Sequence, residues 1–350
     1  KMKDKLKIAI IGASGYTGVE LIKILQNHQF ADIKILIAES NAGKHLFEIY
    51  PHLDILDLPK LIKINEADFS DVDVIFSCLP HNHSQKIISD ILSTNCKKTL
   101  KIIDLAADFR LKSTEDYREW YGEHQAINLQ KEAVYALPEM NREGIKKARL
   151  ISCPGCYPTS VLLPLLPLLN NHLISPNNII SDSKSGVTGA GRSLKIGNLF
   201  CETNDNILAY SLASHRHTVE IEQEINFVAK SNIKIDFTPH LIPVNRGILS
   251  TIYVDLAEGI SEKDLINCLQ TKYEDEYFVK ISNHIPSIKE VSGTNLCKIA
   301  VKKARSKNRV IIVSVIDNLI KGASGQAVQN MNIAFDIDER EGLEILGGRY

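Results

Sequence analysis

Hydrophobic residues in the first 110 positions fall in short runs separated by stretches of helical spacing. Four apolar runs are typical of buried strands, at 7–11, 33–40, 71–80 and 100–108. Apolar residues recur at helical spacing over 19–28 and again over 82–93, which predicts helices between the strands. Strands that alternate with helices in this order predict a parallel sheet with crossover helices.

The pattern beyond residue 150 is different, because long β-rich runs dominate and helices are few. Three such runs cover 177–191, 234–256 and 308–319, whereas 261–276 has the spacing of an amphipathic helix that begins at a serine cap. The tail over 322–337 starts with glycines and becomes helical, and we expect this C-terminal helix to pack on the first domain. The predicted fold class is therefore α/β, with a Rossmann-type parallel-sheet domain plus a second, α+β domain that contains a mixed or antiparallel sheet.

The overall composition predicts one large or two ordinary soluble domains. The 350 residues are 44% hydrophobic, and 41 lysines and arginines nearly balance 42 aspartates and glutamates. No global field therefore draws the chain to nucleic acid or to an anionic membrane, and an anionic ligand must be held locally. The long apolar run 161–169 falls far short of the roughly 20 residues that span a bilayer, and the chain enters a strand almost at once. We therefore expect neither a signal peptide nor a membrane anchor.

The seven cysteines are scattered, and they are odd in number in a chain too long to need disulfide staples. We therefore expect reduced thiols and a cytoplasmic location. A zinc site needs a second Cys or His pair at ligand spacing, and neither the pair His215 and His217 nor another cysteine pair supplies it convincingly. No metal site is predicted.

The segment GASGYTG, residues 12–18, connects the first predicted strand to the first predicted helix. Its three glycines lie three residues apart in the context of a dinucleotide fingerprint, although Ser14 departs from the GxGxxG spacing. Gly12 allows a tight turn, Gly15 lets the main chain approach a pyrophosphate, and the helix start offers amide donors. The alternative is a glycine-rich turn that binds nothing. The predicted cofactor-binding residues of this turn are Gly12, Ser14, Gly15, Tyr16, Thr17 and Gly18.

The identity of the dinucleotide depends on the segment ESNAGK, residues 39–44. Glu39 stands about 20 residues beyond the glycine turn, where an acidic side chain usually binds the ribose 2′-hydroxyl of NAD. Ser40 and Lys44 instead offer a hydroxyl and a point charge for the 2′-phosphate of NADP. The residues alone leave both cofactors open, and Lys44 is equally compatible with a simple solvated lysine.

The segment SCPGCYPTS, residues 152–160, contains the candidate nucleophile. Pro158 favours a helix start, which places Cys156 at the N-terminus of an apolar helix, where the helix dipole favours a reactive thiolate. Pro164 and Pro167 lie within this helix and predict a kink. Cys153 is interpreted as a packing residue or, as an alternative, as the partner of Cys156 in a redox pair. An inert buried thiol is the other alternative for Cys156.

A second cluster of chemically useful side chains lies in SHRHTVEIE, residues 214–222. In an extended segment, His215 and His217 would face the same way and offer an imidazole partner to a thiolate. Glu220 lies next to them and is assigned to the substrate-binding residues. Solvated surface histidines are the alternative interpretation.

Two arginines are candidate clamps for an anion or a carboxylate, with solvated or ion-paired side chains as the alternative. They are Arg110 in ADFRLK and Arg246 in PVNRGIL. Two glycine-rich loops, 183–192 and 321–330, also suit a close approach of main chain to ligand, although plain turns would look similar.

Taken together, these motifs resemble the N-acetyl-gamma-glutamyl-phosphate reductases, enzymes of arginine biosynthesis related to aspartate-semialdehyde dehydrogenase. The similarity runs in order over essentially the whole chain through GASGYTG, ESNAGK, YPHL, DLAADFRL, YALPEMNR, SCPGCYPT, SKSGVTGAGR, HRHTVEIEQ, TPHLIPVNRGIL and KGASGQAVQNMN. Two residues depart from the family pattern: Glu39 at the cofactor 2′-position, and Pro164 within a helix that is usually free of proline there.

The resemblance implies a Rossmann-type NADP-binding domain of residues 1–152 and 322–350, and a catalytic and oligomerisation domain of residues 153–321. It implies NADP(H) as cofactor, an acyl-phosphate substrate, and a homodimer or homotetramer. It also implies that Cys156 is acylated, with His217, or else His215, as acid/base. The further residues assigned by resemblance are Ser185, Gly186, Gly322, Ala323 and Asn330 for the cofactor, and Arg110, Arg246 and Glu220 for the substrate.

The activity implied is the NADPH-dependent reduction of N-acetyl-gamma-glutamyl phosphate to N-acetyl-L-glutamate 5-semialdehyde through a cysteine thioester. The nearest alternatives are the same chemistry on aspartyl or acetylaminoadipyl phosphate. A dinucleotide-binding redox sensor that signals through Cys153 and Cys156 is a non-enzymatic alternative. A cysteine hydrolase is a third, and it would leave the glycine turn without a function.

Overall fold

The computed structural model describes residues 5–94, 96–192, 194–345 and 347. The described chain divides into two compact units. The first unit contains residues 5–154 and 323–344, and the second contains residues 155–322 together with 345 and 347.

The first unit is built on a seven-stranded sheet in which every neighbouring pair of strands is parallel. Its strands are β1 (Leu6–Ile11), β2 (Ala31–Ile37), β3 (Leu61–Ile62), β4 (Val74–Ser77), β5 (Lys101–Asp104), β6 (Val134–Tyr135) and β7 (Leu150–Ser152). Its helices up to that point are α1 (Tyr16–Gln26), α2 (Ser84–Ser93), α3 (Thr114–Tyr121), α4 (Ile127–Glu132) and α5 (Pro138–Lys147). The strand order is β3-β2-β1-β4-β5-β7-β6, so the predicted Rossmann-type domain is confirmed.

The order of this sheet reverses between β1 and β4, which are neighbours although two strands separate them in sequence. In doubly wound sheets such a reversal opens a crevice at the carboxyl ends of the strands, where dinucleotides bind. Strand β1 is fully buried over its last four residues and leads directly into Gly12. The glycine turn therefore lies where this fold binds its ligands.

The second unit contains a mixed seven-stranded sheet, as the sequence predicts. Its strands are β8 (Ile179–Gly186), β9 (Leu208–Ala209), β10 (Ile235–Ile242), β11 (Ile248–Asp255), β12 (Val279–Ile281), β13 (Cys297–Lys303) and β14 (Arg309–Ile316). Its helices are α6 (Cys156–Asn170), α7 (Phe200–Thr203), α8 (His217–Ala229) and α9 (Glu262–Lys272). The strand order is β12-β13-β14-β11-β8-β10-β9, with parallel pairs β12–β13 and β8–β10 and antiparallel pairs elsewhere.

Helix α6 forms the centre of the second unit, because it is apolar on all sides and is buried from Tyr157 to Leu169. It packs on α8, α9, β11 and β14. Helix α6 continues as one element through Pro164 and Pro167, and the kink predicted at these prolines stays a prediction. A proline inside a helix costs about 3 kcal/mol, and burial of the surrounding leucines on four neighbouring elements offsets that cost.

The last helix, α10 (Gly325–Ala334), packs on α1 and α5, which confirms the prediction that the C-terminal helix returns to the first domain.

Strand β2 ends at Ile37, three residues earlier than predicted, because Glu39–Asn41 form a 3-10 turn. The serine predicted to start the amphipathic helix, Ser261, precedes α9 and donates its main-chain NH to Asp264 Oδ2 at 2.9 Å. Within the part of the chain that is described, no helix is both long and apolar enough to cross a membrane.

Candidate active site

Cys156 is the first residue of α6, as the sequence predicts. Gly155 precedes it in an extended conformation at the N-cap, without a side-chain cap. The thiol is half-buried, whereas Cys153 is fully buried. A half-buried sulfur at a helix N-terminus is both accessible to a ligand and favoured as a thiolate.

The start of α6 presents a small set of main-chain amides. Pro158 has no NH, and the NH of Thr159 bonds to the Gly155 carbonyl at 2.9 Å. The first amides of an α-helix have no acceptor within the helix itself. Such donors beside a nucleophile can stabilise an oxyanion.

Glu220 holds the turn that carries the thiol. Its side chain lies on α8 and is 99% buried, and its Oε1 accepts a hydrogen bond from the Gly155 NH at 2.8 Å. This carboxylate thus fixes the main chain directly before Cys156. Its assignment to the substrate-binding residues stays a prediction.

The two candidate histidines lie side by side, with ring centroids 4.8 Å apart. The expectation of an extended segment is wrong, because α8 begins at His217 and Arg216 has helical dihedrals. The main-chain NH of His217 donates to His215 Nδ1 at 3.1 Å, so this nitrogen of His215 carries no proton. Burial, and then the charge of Arg216, lower the pKa of His215 to about 4.

Aromatic side chains surround the two histidines. Tyr157 is edge-on to His215, His217 and Phe237, with centroids 5.3 to 5.9 Å away. The Tyr157 and Tyr210 hydroxyls lie 3.1 Å apart, and the Tyr210 ring lies 5.5 Å from His215. Burial raises the pKa of both phenols, that of Tyr210 to about 12, and the charge of a Cys156 thiolate acts in the same direction. Sequence reasoning missed Tyr210, which no motif marks.

Gly322 lies directly against the nucleophile. A Cβ on Gly322 would be 2.7 Å from Cys156 Cβ and 3.2 Å from its Cα. The residues Ile320–Ser324 form a π-turn, and Asp317 holds its start by accepting from the Leu319 and Ile320 amides. The glycine predicted to contact the cofactor is therefore also required by the packing of Cys156.

Arg246 is largely buried, with 11% of its side chain exposed, and its Nε lies 3.4 Å from Oδ2 of the fully buried Asp317. Gly186 ends β8 against the main chain of Asn245 and Arg246. Ser185 Oγ, one residue earlier, donates to the Gly186 carbonyl at 3.1 Å. In the second unit, Cys156 therefore lies against Gly322, Glu220 holds the residue before it, and the residue after it, Tyr157, contacts both histidines.

Arg110 belongs to the first unit and is 95% buried. Its Nε donates to the Cys153 carbonyl and its Nη2 to the Leu105 carbonyl, each at 2.7 Å. Burial raises the pKa of the Cys153 thiol to about 12, although the Asn330 amide contacts its Sγ at 3.5 Å. Cys153 is therefore protonated and inert at neutral pH, as expected of a packing cysteine.

The glycine turn of the first unit has the geometry of a dinucleotide site. Gly12 has φ +82°, and a Cβ there would be 2.5 Å from the Cys78 carbonyl oxygen. Helix α1 starts at Tyr16 with Gly15 as an extended N-cap and Gly18 buried in its first turn. Tyr50 OH donates to the Ser14 carbonyl at 3.0 Å, and Ser324 Oγ donates to the Thr17 carbonyl at 2.8 Å. Ala323 lies next to this serine and is half-buried.

Glu39 does not extend freely from the end of β2, because its Oε1 accepts from the Ile64 NH at 2.9 Å. Glu39, Ser40 and Lys44 are all exposed. Asn41 Nδ2 connects this segment to the glycine turn through Ser14 Oγ at 3.3 Å. The carboxylate that would favour NAD is thus engaged by the main chain.

The side-chain amide of Asn330, on α10, has a hydrogen-bond partner for its nitrogen only. Its Nδ2 donates to the Ala136 carbonyl at 3.0 Å, whereas its Oδ1 is buried with no hydrogen-bond partner among the described residues. A buried acceptor without a donor is costly, and a ligand amide would remove that cost. A bound dinucleotide therefore fits the glycine turn, the exposed Ser40 and Lys44, and Asn330.

No group of three or more His, Cys, Asp or Glu is placed to hold a metal ion in residues 5–94, 96–192, 194–345 and 347.

Two family models match the chain. The semialdehyde dehydrogenase NAD-binding domain matches residues 7–148, and the semialdehyde dehydrogenase dimerisation domain matches residues 156–318. A solved structure of aspartate semialdehyde dehydrogenase II from Vibrio cholerae is similar, with a TM-score of 0.73 at 17% identity over 95% of this chain and 99% of that one. At such identity the likeness shows the fold alone.

Curated relatives are much more similar in sequence. A probable chloroplastic N-acetyl-gamma-glutamyl-phosphate reductase of Arabidopsis thaliana is 48% identical over 98% of this chain and 85% of its own length. The N-acetyl-gamma-glutamyl-phosphate reductase of Rhodospirillum rubrum is 46% identical over 98% of both chains. That of Geotalea daltonii is 45% identical over 98% of this chain and 99% of its own.

Proposed function

The chain belongs to the N-acetyl-gamma-glutamyl-phosphate reductase family, and we propose that it reduces N-acetyl-gamma-glutamyl phosphate to N-acetyl-L-glutamate 5-semialdehyde, with release of phosphate, in arginine biosynthesis. The observation that carries this proposal is Cys156, a half-buried thiol on the first residue of α6 with Glu220 and Gly322 fixing its surroundings. We assign cofactor binding to residues 1–152 and 322–350, and the chemistry to residues 153–321.

The first step is acyl transfer to sulfur. The Cys156 thiolate attacks the acyl carbon, a C–S bond forms, and the C–O bond to phosphate breaks, so that phosphate leaves with the electron pair. A main-chain amide at the start of α6 would stabilise the oxyanion of this step. A thioester results, which is easier to reduce than a carboxylate.

His217 is the acid/base in this proposal. It protonates the oxyanion after reduction, and it takes the proton back when the C–S bond breaks and the aldehyde leaves. His215 serves as its support, because it is neutral at physiological pH and its Nδ1 accepts from the His217 main chain. The ring contacts of Tyr157 fix both imidazoles.

NADP(H) is the proposed cofactor, and when bound it supplies the hydride. The glycine turn would hold its pyrophosphate, Asn330 Oδ1 would accept from its carboxamide, and Ser40 and Lys44 would hold the 2′-phosphate. The bond between Glu39 Oε1 and the Ile64 NH supports NADP over NAD, because it orients this carboxylate toward the main chain. One similar solved structure is aspartate semialdehyde dehydrogenase with NADP from Candida albicans, which is 19% identical with a TM-score of 0.66 over 94% of this chain and 98% of that one.

The two arginines are proposed to bind the anionic groups of the substrate. The Asp317 carboxylate orients Arg246, whose largely buried guanidinium would bind a substrate carboxylate. Arg110 would bind a second anionic group. Its Nε and Nη2 already donate to main-chain oxygens, so the side chain would lose little conformational entropy on binding. The rival substrates are aspartyl and acetylaminoadipyl phosphate, and the reverse assay discriminates the first of them through its semialdehyde.

The redox-sensor alternative is disfavoured by the state of Cys153. Burial raises the pKa of the Cys153 thiol and shields it from an oxidant, whereas a redox sensor needs an accessible, ionised thiol. We also propose a homo-oligomer, a dimer or a tetramer, since the second unit matches a domain described as a dimerisation domain. We propose a cytoplasmic location, as the sequence predicts, although the two plant relatives are described as chloroplastic.

The reverse reaction provides the test. N-acetylglutamate semialdehyde, phosphate and NADP should give NADPH with the wild-type chain, and aspartate semialdehyde should react far more slowly. Cys156→Ser should still bind NADPH but lose turnover by several orders of magnitude. Cys201→Ser, which changes an exposed cysteine, is the matched control and should keep its activity. Near-normal turnover of Cys156→Ser, or phosphate-independent turnover of the wild type, would refute the proposal.

A further inference from the structure

The segment 194–212 of the second unit exposes an unusual number of large apolar side chains. Seven of the fourteen exposed large hydrophobic residues in the described chain lie within these 19 positions. They are Leu194, Ile196, Leu199, Phe200, Ile207, Leu208 and Leu212. Leu194 is fully exposed, and Ile196 and Phe200 are about three-quarters exposed, at 76% and 75%. Isolated surface hydrophobics are common, but such a concentration marks an interaction surface.

The local structure of the segment explains why its side chains are not buried within the unit. It consists of a 3-10 turn (Ile196–Asn198), the four-residue helix α7 and the two-residue strand β9. Elements this short cannot cover one another's apolar residues. The segment carries only three charged residues, Lys195, Glu202 and Asp205, so little in its sequence favours contact with water.

Strand β9 adds a second feature, an open sheet edge. It ends the order of the second sheet and pairs with β10 on one side, with no further strand beyond it in the described chain. Exposed edges are normally protected by charged residues, proline or a covering element. The residues around β9, NILAY at 206–210, contain neither a charge nor a proline.

We propose that the segment 194–212 is a contact surface for a second copy of this chain. The matched dimerisation-domain model spans residues 156–318 and so includes the whole segment, which argues for another protomer as the occupant. The proposal builds on the homo-oligomer proposed above and names the surface that forms it. Burial of the seven apolar side chains between protomers supplies the driving force.

The same segment contributes a residue to the candidate active site. Tyr210 donates its main-chain NH to the Pro239 carbonyl at 3.1 Å, and its hydroxyl lies 3.1 Å from that of Tyr157. A protomer that covers the segment therefore also holds the aromatic side chain next to His215. Assembly and the order of the active site are coupled through this one stretch of chain.

The first experiment measures molecular mass. Sedimentation equilibrium of the full-length chain should give a multiple of 39.1 kDa for the wild type and for the control Ile55→Glu, which alters a side chain that is 86% exposed outside the segment. The double variant Ile196→Glu/Phe200→Glu should shift to the single-chain mass, because each glutamate would have to be buried without a partner. A circular dichroism melt shows whether the variant is folded.

The second experiment uses the wild type alone, so that misfolding of the variant cannot decide the outcome. Cys201 lies in the segment and is exposed in the single chain. Its rate of alkylation should rise at least several-fold when the protein is diluted below the dissociation constant of the oligomer. The proposal is overturned by a wild type with the single-chain mass at micromolar concentration, by a folded double variant with the wild-type mass, or by alkylation that is equally fast at all concentrations. None of these readouts depends on turnover, so they fail or succeed independently of the proposed reaction.

Discussion

The Cβ of Cys156 occupies the space that a side chain on Gly322 would need, with only 2.7 Å between the two positions. The thiol and the π-turn that follows β14 are therefore packed as one unit. Since neither the helix start nor the turn can move without the other, the position of the sulfur is set from two distant parts of the sequence.

Gly322→Ala should consequently lower both stability and activity. Overpacking of this kind costs about 1–3 kcal/mol, and displacement of the sulfur should reduce kcat by about 10- to 100-fold. Chemical unfolding measures the first effect and steady-state kinetics the second. The double variant Cys156→Gly/Gly322→Ala returns the space, so its free energy of unfolding should exceed the value expected from adding the two single changes. Additive behaviour would show that the close approach is relieved elsewhere.

Glu220 should prove to be a positioning residue for Cys156. Glu220→Ala leaves the buried Gly155 NH without its acceptor, which costs about 1–3 kcal/mol of stability, and it loosens the turn before the thiol. Glu220→Gln keeps an oxygen for the same bond and should retain most of the stability. We expect kcat to fall strongly in the alanine variant and KM for the acyl phosphate to change little in either. A selective rise in KM would instead return Glu220 to the substrate-binding role assigned from the sequence.

The comparison of Glu220 with Cys156 shows where sequence reasoning succeeds and where it stops. Cys156 could be placed at a helix start because the signal is local: Gly155 and Pro158 flank it, and an apolar run follows. The partner of Gly155 lies 65 residues away on α8. No pattern in a single sequence reports such a contact.

The same limit applies to residues that no motif marks. Tyr210 lies next to His215 because β9 pairs with β10, and this pairing cannot be read from the two residues Leu208–Ala209. The fold class was predictable because the alternation of strands and helices is a property of long segments. The ends of these segments were less predictable. Strand β2 ends at Ile37, because Glu39 accepts a hydrogen bond from the Ile64 main chain and does not extend the strand.

His215 should make the protein less stable in mild acid. Its pKa is lowered to about 4 in the folded state, with burial as the main cause, against 6.5 as the ordinary value. The unfolded chain therefore takes up a proton between pH 6.5 and 4 that the folded chain refuses, and stability falls as the pH falls through this window. Above pH 6.5 the contribution to stability is complete. After allowance for the partial exposure of the ring, the loss amounts to about 2–3 kcal/mol.

The measurement is urea unfolding of the wild type and His215→Phe at pH 7.5 and pH 4.5. The phenylalanine keeps an aromatic ring against Tyr157 but cannot be protonated, so the difference between the two pH values should be smaller by most of the amount above. His52→Phe, at an exposed position, is the control and should follow the wild type. An unchanged pH dependence in His215→Phe would mean that this ring is hydrated in solution.

The preference for NADPH should depend on Lys44 and not on Glu39. Lys44→Ala removes the exposed cation proposed for the 2′-phosphate and should raise KM for NADPH about tenfold, the equivalent of about 1.4 kcal/mol, while KM for NADH stays the same. Glu39→Gln keeps an acceptor for the Ile64 NH and should change neither constant by more than about twofold, because the glutamate is engaged by the main chain. If Glu39 instead bound the ribose, the glutamine variant would lose NADH selectively, and the wild type would use NADH at least as well as NADPH. Initial rates with both nucleotides for the three proteins distinguish these outcomes, since a carboxylate on the ribose and a cation on the 2′-phosphate change the two KM values in opposite ways.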